Sequence, residues 1–171
     1  MLKQQIAASL EDVFSQFGFA EPSVSQLQKA CDVSLRTLYK HFPSKEEMIV
    51  AALDYRHQRY LSFLELDTTS FSATESVLCI FDRLQQWMEQ YAPNGCMSMN
   101  AIAAFPENEA IKDAVDTHKQ QVKHYLGNVC QRPDLATQLF ILHEGVSSVW
   151  PLLGADAFIS TKITITTLLE H

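Results

Sequence analysis

Ser34 to Glu47, S-L-R-T-L-Y-K-H-F-P-S-K-E-E, constrains this chain more than any other stretch, because it stops one helix and starts another with no room between them. Ser34 caps a short helix in which Leu38 and Phe42 fall four apart on one inward face, and Pro43 ends it. Ser44-Lys45-Glu46-Glu47 then reads as a capping box that opens the next helix. The short helix turns Arg36, Thr37, Tyr39, Lys40 and His41 to solvent, and each can donate a hydrogen bond to a phosphate or a base edge. A helix punctuated in this way, and polar outside, is built to be read by a partner.

The residues just before it supply a second short helix. Ser23 is a good N-cap, and Val24, Leu27, Ala30 and Cys31 recur at helical spacing before Asp32 and Val33 turn the chain. Two short helices across a tight turn form the geometry that lays the second in a major groove. The run V-S-Q-L-Q-K-A-C-D-V-S-L-R-T-L-Y-K-H-F-P-S-K-E-E-M resembles the DNA-binding module of the TetR family of transcriptional regulators. The resemblance covers about the first quarter of the chain, and its V-S-x-x-T-L-Y-x-H-F-x-S-K-E core is specific. It implies an all-α homodimer whose larger C-terminal domain binds a small effector and changes the spacing of two reading heads.

The resemblance also implies roles for single residues. Ser23 stands where the family has a phosphate-contacting hydroxyl; Thr37, Tyr39 and Lys45 resemble its backbone clamps; Arg36, Lys40 and His41 lie on the outward face of the reading helix. Three positions depart from the pattern. Asp32 replaces the usual Gly of the turn, which Asp tolerates because it is among the few residues that visit left-handed backbone. Gln28 stands where a small Ala is usual. Leu35 stands where a polar residue is common; it either meets a thymine methyl or packs on a nearby Ala or Val.

A net charge of -7 argues against nucleic acid at first, but the charge is segregated. Met1 to Lys45 carries five Lys or Arg against four Asp or Glu, and the rest carries eight against sixteen. A mildly basic head on an acidic body favours contact through the head alone, with modest non-specific affinity. The reading is therefore a helix-turn-helix domain over 1–45 and a helical effector-binding and dimerisation domain over 46–171, about nine helices in all. With 47% hydrophobic residues and five Gly among 171, the chain can build a good helical core. No apolar run is long enough for a bilayer and no leader is evident, so a cytoplasmic protein without a membrane partner is expected.

Helical stripes continue along the chain. The first helix, about Lys3 to Phe17, turns Ile6, Leu10, Val13, Phe14 and Phe17 one way, and Gly18 closes it. A long fourth helix, Lys45 to about Leu66, connects head and body. A polar loop, Asp67 to Ser70, precedes a helix from Ala73 to Tyr91; a shorter one follows from Cys96 to Ala104, and Pro106-Glu107 opens another running to about Cys130. Pro133-Asp134 opens the eighth, which runs to about Leu153. Lys162 to Thr167 alternates like a strand, but a lone strand has no partner, so Asp156 to Leu169 is expected to be helical. The apolar eighth and ninth helices need cover from a second copy, as in a four-helix bundle between subunits.

His118 and His143 interrupt apolar rows. With Gln85, Asn100 and Glu144 they are either the polar groups of a mostly apolar effector pocket or core histidines satisfied by backbone or water. Tyr60, Phe63, Phe81, Met88, Met99 and Tyr125 are the apolar lining of such a pocket or simply core. Cys31, Cys79, Cys96 and Cys130 show no metal spacing, and no cofactor or zinc site is expected. Cys96, after Pro93-Asn94-Gly95 at a helix start, stands out as an oxidant or electrophile sensor or else one more reduced thiol. No phosphate loop, nucleophile elbow or paired acid is evident, so an enzyme is not expected. The leading reading is a repressor on a palindromic operator, released by a small, mostly apolar effector. The alternatives are a helical ligand-binding or small-molecule-modifying protein that does not engage DNA, and a regulator sensing through Cys96.

Overall fold

The computed structural model describes residues 1–65 and 71–170. The expected loop from Asp67 to Ser70, and Leu66 at the expected end of the fourth helix, lie outside the described residues. The described residues are all-α: α1 (Leu2–Phe17), α2 (Val24–Ala30), α3 (Leu35–His41), α4 (Lys45–Leu64), α5 (Ala73–Tyr91), α6 (Met97–Ala104), α7 (Glu109–Val129), a 3-10 turn (Pro133–Leu135), α8 (Ala136–Leu153) and α9 (Ala155–Glu170).

Side-chain caps set most helix starts. Ser23 accepts from the Gln26 N–H while the Gln26 side chain accepts from the Ser23 N–H, a full capping box; Ser72 and Glu75 repeat it at α5. At α3 and α4, Ser34 and Ser44 cap through the Thr37 and Glu47 N–H groups. The seventh helix starts later than Pro106, because the Asn108 carboxamide caps the Ile111 N–H. Asp32 takes the left-handed conformation expected of it, with φ 49°.

The chain forms two compact units, Met1–Arg59 with Met97–His118, and Tyr60–Cys96 with Lys119–His171. The first holds the three small helices, most of α4, α6 and the start of α7. Its core joins Ile6, Leu10 and Phe14 of α1 to Leu27, Leu38, Phe42, Met48, Ile49 and Leu53. Phe17, expected on the inward stripe of α1, is 58% exposed, because the helix ends there. Glu11 lies buried in the first unit between Arg56 and Arg59 of α4.

In the second unit α9 packs on both α5 and α8. Val77, Ile80, Phe81, Leu84, Trp87 and Met88 of α5 meet Leu139 and Val146 of α8 and Phe158 and Ile165 of α9. The alternating stretch of α9 is helical. Thr161, Thr164, Thr166 and Thr167 each donate their hydroxyl to the carbonyl four residues back, so these β-branched polar residues satisfy themselves without a neighbouring strand.

Candidate nucleic-acid interface

α3 is seven residues long and buries one of them, Leu38, completely. That anchor, with buried Phe42 just beyond, fixes the helix and leaves its other sides to solvent. Arg36 and Lys40 are exposed, Tyr39 is 41% exposed, and His41 is half-buried beside Phe42. Leu35 is 48% exposed at the first turn, so about half of its side chain reaches this surface. Thr37 is half-buried, its hydroxyl 2.8 Å from the Ser34 hydroxyl. Ser23 is exposed and its hydroxyl donates to the Gln26 carboxamide oxygen.

Two of the three departures from the expected pattern lie in one turn. The Gln28 amide donates to the Val33 carbonyl, spanning the bend at Asp32. A side chain longer than Ala therefore closes a turn that lacks the usual Gly. Lys45 donates to the Ala20 carbonyl at 3.3 Å, tying the start of α4 to the loop before α2. Partial burial lowers its pKa, with Glu46 opposing.

The residues expected in an effector pocket are divided between the units. Met99 and Asn100 are exposed on α6 in the first unit, and His118, also there, stacks on His57 at 4.2 Å and bonds the Asp54 carboxylate at 2.8 Å. The second unit gathers Tyr60, Phe81, Met88, His143 and Glu144, with Phe63 and Tyr125 half-buried against its core. Tyr125 donates to the Leu64 carbonyl at 2.8 Å, and Gln85 donates to Glu89 along its own helix. Each histidine bonds a side chain rather than backbone: His143 engages both ring nitrogens, whereas the buried Nδ1 of His118 has no hydrogen-bond partner among the described residues.

Around His143 the polar groups form one chain. Tyr60 bonds Nε2 of His143; Nδ1 lies 2.9 Å from Glu144; Glu144 accepts from Lys119 at 2.6 Å; Lys119 donates to the Cys96 sulfur at 3.2 Å. Burial lowers the pKa of His143 and raises that of Tyr60. Burial would push Glu144 up, but the His143 hydrogen bond and the Lys119 ammonium hold it down, at about 2. Burial would likewise lower Lys119, but Cys96 and Glu144 keep it above the ordinary lysine value. A neutral His143 beside an ionised Glu144 donates from Nδ1, so Nε2 accepts from the Tyr60 hydroxyl. Phe81 and Phe140 flank the ring at 6.5 and 6.3 Å.

Lys119 is the member of this chain outside the expected site residues, and the sequence does carry a signal for it. It follows Val115 by four and precedes Val122 by three, a cation inside an apolar row. Of the four thiols only Cys130 is buried; Cys31, Cys79 and Cys96 are half-buried. Burial raises Cys31 to about 11.

This arrangement is an all-helical protein with an N-terminal helix-turn-helix. Residues 6–52 match the family model described as bacterial regulatory proteins, tetR family. The fold matches a TetR-family transcriptional regulator from Streptomyces coelicolor at TM-score 0.84 and 17% identity, covering 99% of this chain and 94% of that one. A TetR regulator from Legionella pneumophila matches at TM-score 0.78 and 20% identity, covering 96% and 95%; reduced NemR of E. coli matches at 0.77 and 20%, covering 98% and 96%. A search of curated sequences finds no match. The chain is TetR-like: it has the fold of these regulators along nearly its whole length, and its N-terminal segment carries the family's sequence.

Proposed function

We propose that this chain is a cytoplasmic, homodimeric transcriptional regulator that represses from a palindromic operator and leaves it when a small, mostly apolar effector is bound. The observation that carries the reading is the surface of α3, where one buried anchor holds the helix and Arg36, Tyr39, Lys40 and Leu35 face solvent together. Arg36 and Lys40 offer the donors that read guanine or hold phosphate, and Leu35 offers an apolar face for a thymine methyl. Ser23, Thr37, His41 and Lys45 complete the expected contacts along the backbone.

Dimerisation is supported by what α8 and α9 leave bare. Ile141, Leu152, Leu153, Ile159 and Ile163 are each more than half exposed, a spread of large apolar groups that one chain does not cover. An effector would engage the second unit, whose core carries the Tyr60, His143, Glu144 and Lys119 chain among aromatic rings. Such a ligand must favour the DNA-incompetent state, or it shifts nothing.

Selection from a random duplex library tests the reading directly. Wild-type protein should enrich a palindrome. Arg36→Ala should cost about 1–3 kcal/mol and relax preference at one base pair. Lys45→Ala should weaken all sequences alike. Enrichment of no sequence would favour the helical ligand-binding alternative.

One contact favours a second reading, in which Cys96 senses. The Lys119 ammonium lies 3.2 Å from its sulfur, and the thiol is half-buried at the start of α6. Labelling with iodoacetamide at neutral pH decides it: a Cys96 that reacts no faster than a peptide thiol removes this reading.

A further inference from the structure

We infer that Glu11, held between Arg56 and Arg59, is a positioning residue that locks the reading head onto α4 and so sets the operator spacing the dimer accepts. The inference rests on the operator-binding reading above. Glu11 is 2% exposed, inside a helix whose neighbours Ile6, Leu10 and Phe14 belong to the core of the first unit. Arg56, also buried, donates to one of its carboxylate oxygens, and Arg59 donates to the other at 2.6 Å. The two arginines lie three apart on α4, so one carboxylate on α1 is gripped by adjacent turns of the long helix.

The grip differs in kind from the packing around it. Ile6, Leu10 and Phe14 share their cluster with Met48, Ile49, Ala52 and Leu53, and such apolar contact resists separation without fixing one register. A carboxylate with both oxygens engaged by guanidinium groups tolerates neither a slide nor a rotation, because these bonds are short and directional. Stability alone is a poor reason for the device, since buried ion pairs are often replaceable by apolar residues at little cost. Register is what the apolar replacement loses. α4 runs on without a break from Arg59 to Tyr60 and Leu64, so the clamp fixes the head to the helix that continues past it. In a dimer the two clamps together decide how far apart the reading helices can stand.

The test uses the full chain and duplexes built from the half-site that selection returns. One base pair inserted between half-sites should cost the wild-type protein about tenfold or more in affinity. Glu11→Gln keeps the shape, loses the charge and weakens the grip; it should still melt cooperatively and bind the selected duplex, with the penalty for the insertion cut to about threefold or less. Glu11→Leu with Arg56→Leu and Arg59→Met removes the ions but keeps the burial, and carries the same expectation if the first variant does not fold. A folded variant with the wild-type spacing penalty overturns the inference alone. If neither variant folds, the clamp is a stability element and the inference fails. If the wild-type protein selects no duplex, the operator reading and this inference fall together.

Discussion

α3 and α9 both turn much of their surface to solvent, and they show it opposite chemistry. α3 buries Leu38 and presents Arg36, Tyr39 and Lys40; α9 buries Phe158 and Ile165 and presents Ile159 and Ile163, 62% and 66% exposed. A polyanion suits the first, because phosphate and base edges accept what those side chains donate. It does not suit the second, whose exposed isoleucines gain only by leaving water. Two unfinished surfaces of unlike chemistry on one chain suit two unlike partners, and the nucleic acid and second copy proposed above match one surface each.

The largest effect should come from breaking the apolar side. Ile159→Asp with Ile163→Asp places two carboxylates where the second copy is proposed to sit. Sedimentation should then give a monomer at micromolar concentration, and affinity for a palindromic duplex should fall by about a hundredfold or more as the linked half-sites are lost. Helicity should persist, since both positions are exposed in the single chain. A dimer that survives this change would put the interface elsewhere, and a wild-type monomer would remove the apolar half of the comparison.

A second change separates surface from interior. Lys119→Met removes the cation that holds Glu144 and touches Cys96, leaving a carboxylate that is mostly buried without its ammonium. The expected cost is about 3 kcal/mol, read by denaturant unfolding. Because Lys119 belongs to the second unit, base preference at α3 should be unchanged. A matching loss of sequence preference would show that the two regions are not separable.

How much of this was legible in the sequence follows the range of the interactions. Ser23, Ser34 and Ser44 announce helix starts because a cap bonds a backbone N–H three residues on, and α5 has its expected bounds. Leu38 and Phe42 announce the inner face of α3 through spacing alone. Glu11 with Arg56 and Arg59, and Tyr60 with His143, join residues far apart in the chain, and no local pattern encodes such pairs. In hindsight Glu11, beside Leu10 on the α1 stripe, and Lys119, within the α7 row, were visible as charges that only a distant partner would keep inside. The strand-like alternation from Lys162 to Thr167 misleads for a local reason, since periodicity does not register that threonine hydroxyls can bond back along their own helix.

The buried chain also gives the interior a pH signature. Burial lowers His143 from 6.5, so below about pH 6.5 the unfolded chain takes up a proton that the folded chain refuses. Stability should therefore fall as pH drops from about 7 toward 5, by at most about 1.4 kcal/mol per pH unit for one proton, and should not change through this group above about pH 7. Glu144, held at about 2 against an ordinary 4.5, extends the loss through the window between those values. Melting temperatures of wild-type and His143→Gln protein across this range isolate the contribution: the variant should show the shallower slope, and equal slopes would mean that His143 is not held neutral.

The smallest effect belongs to the turn that presents α3. Asp32 at φ 49° bears a modest cost that glycine would not, while glycine would make the unfolded chain more flexible, so Asp32→Gly should change stability by less than about 0.5 kcal/mol. Gln28→Ala should cost about 1 kcal/mol, because it strips the Val33 carbonyl of the side-chain donor that spans the bend. If Gln28 is there to hold a turn without glycine, the two changes are coupled. Gln28→Ala should then cost less in the Asp32→Gly background, where the bend no longer needs holding, and a double-mutant cycle by denaturant unfolding reads the difference. Strict additivity would mean that Gln28 closes the turn whatever residue occupies position 32, and the link between the two departures would be broken.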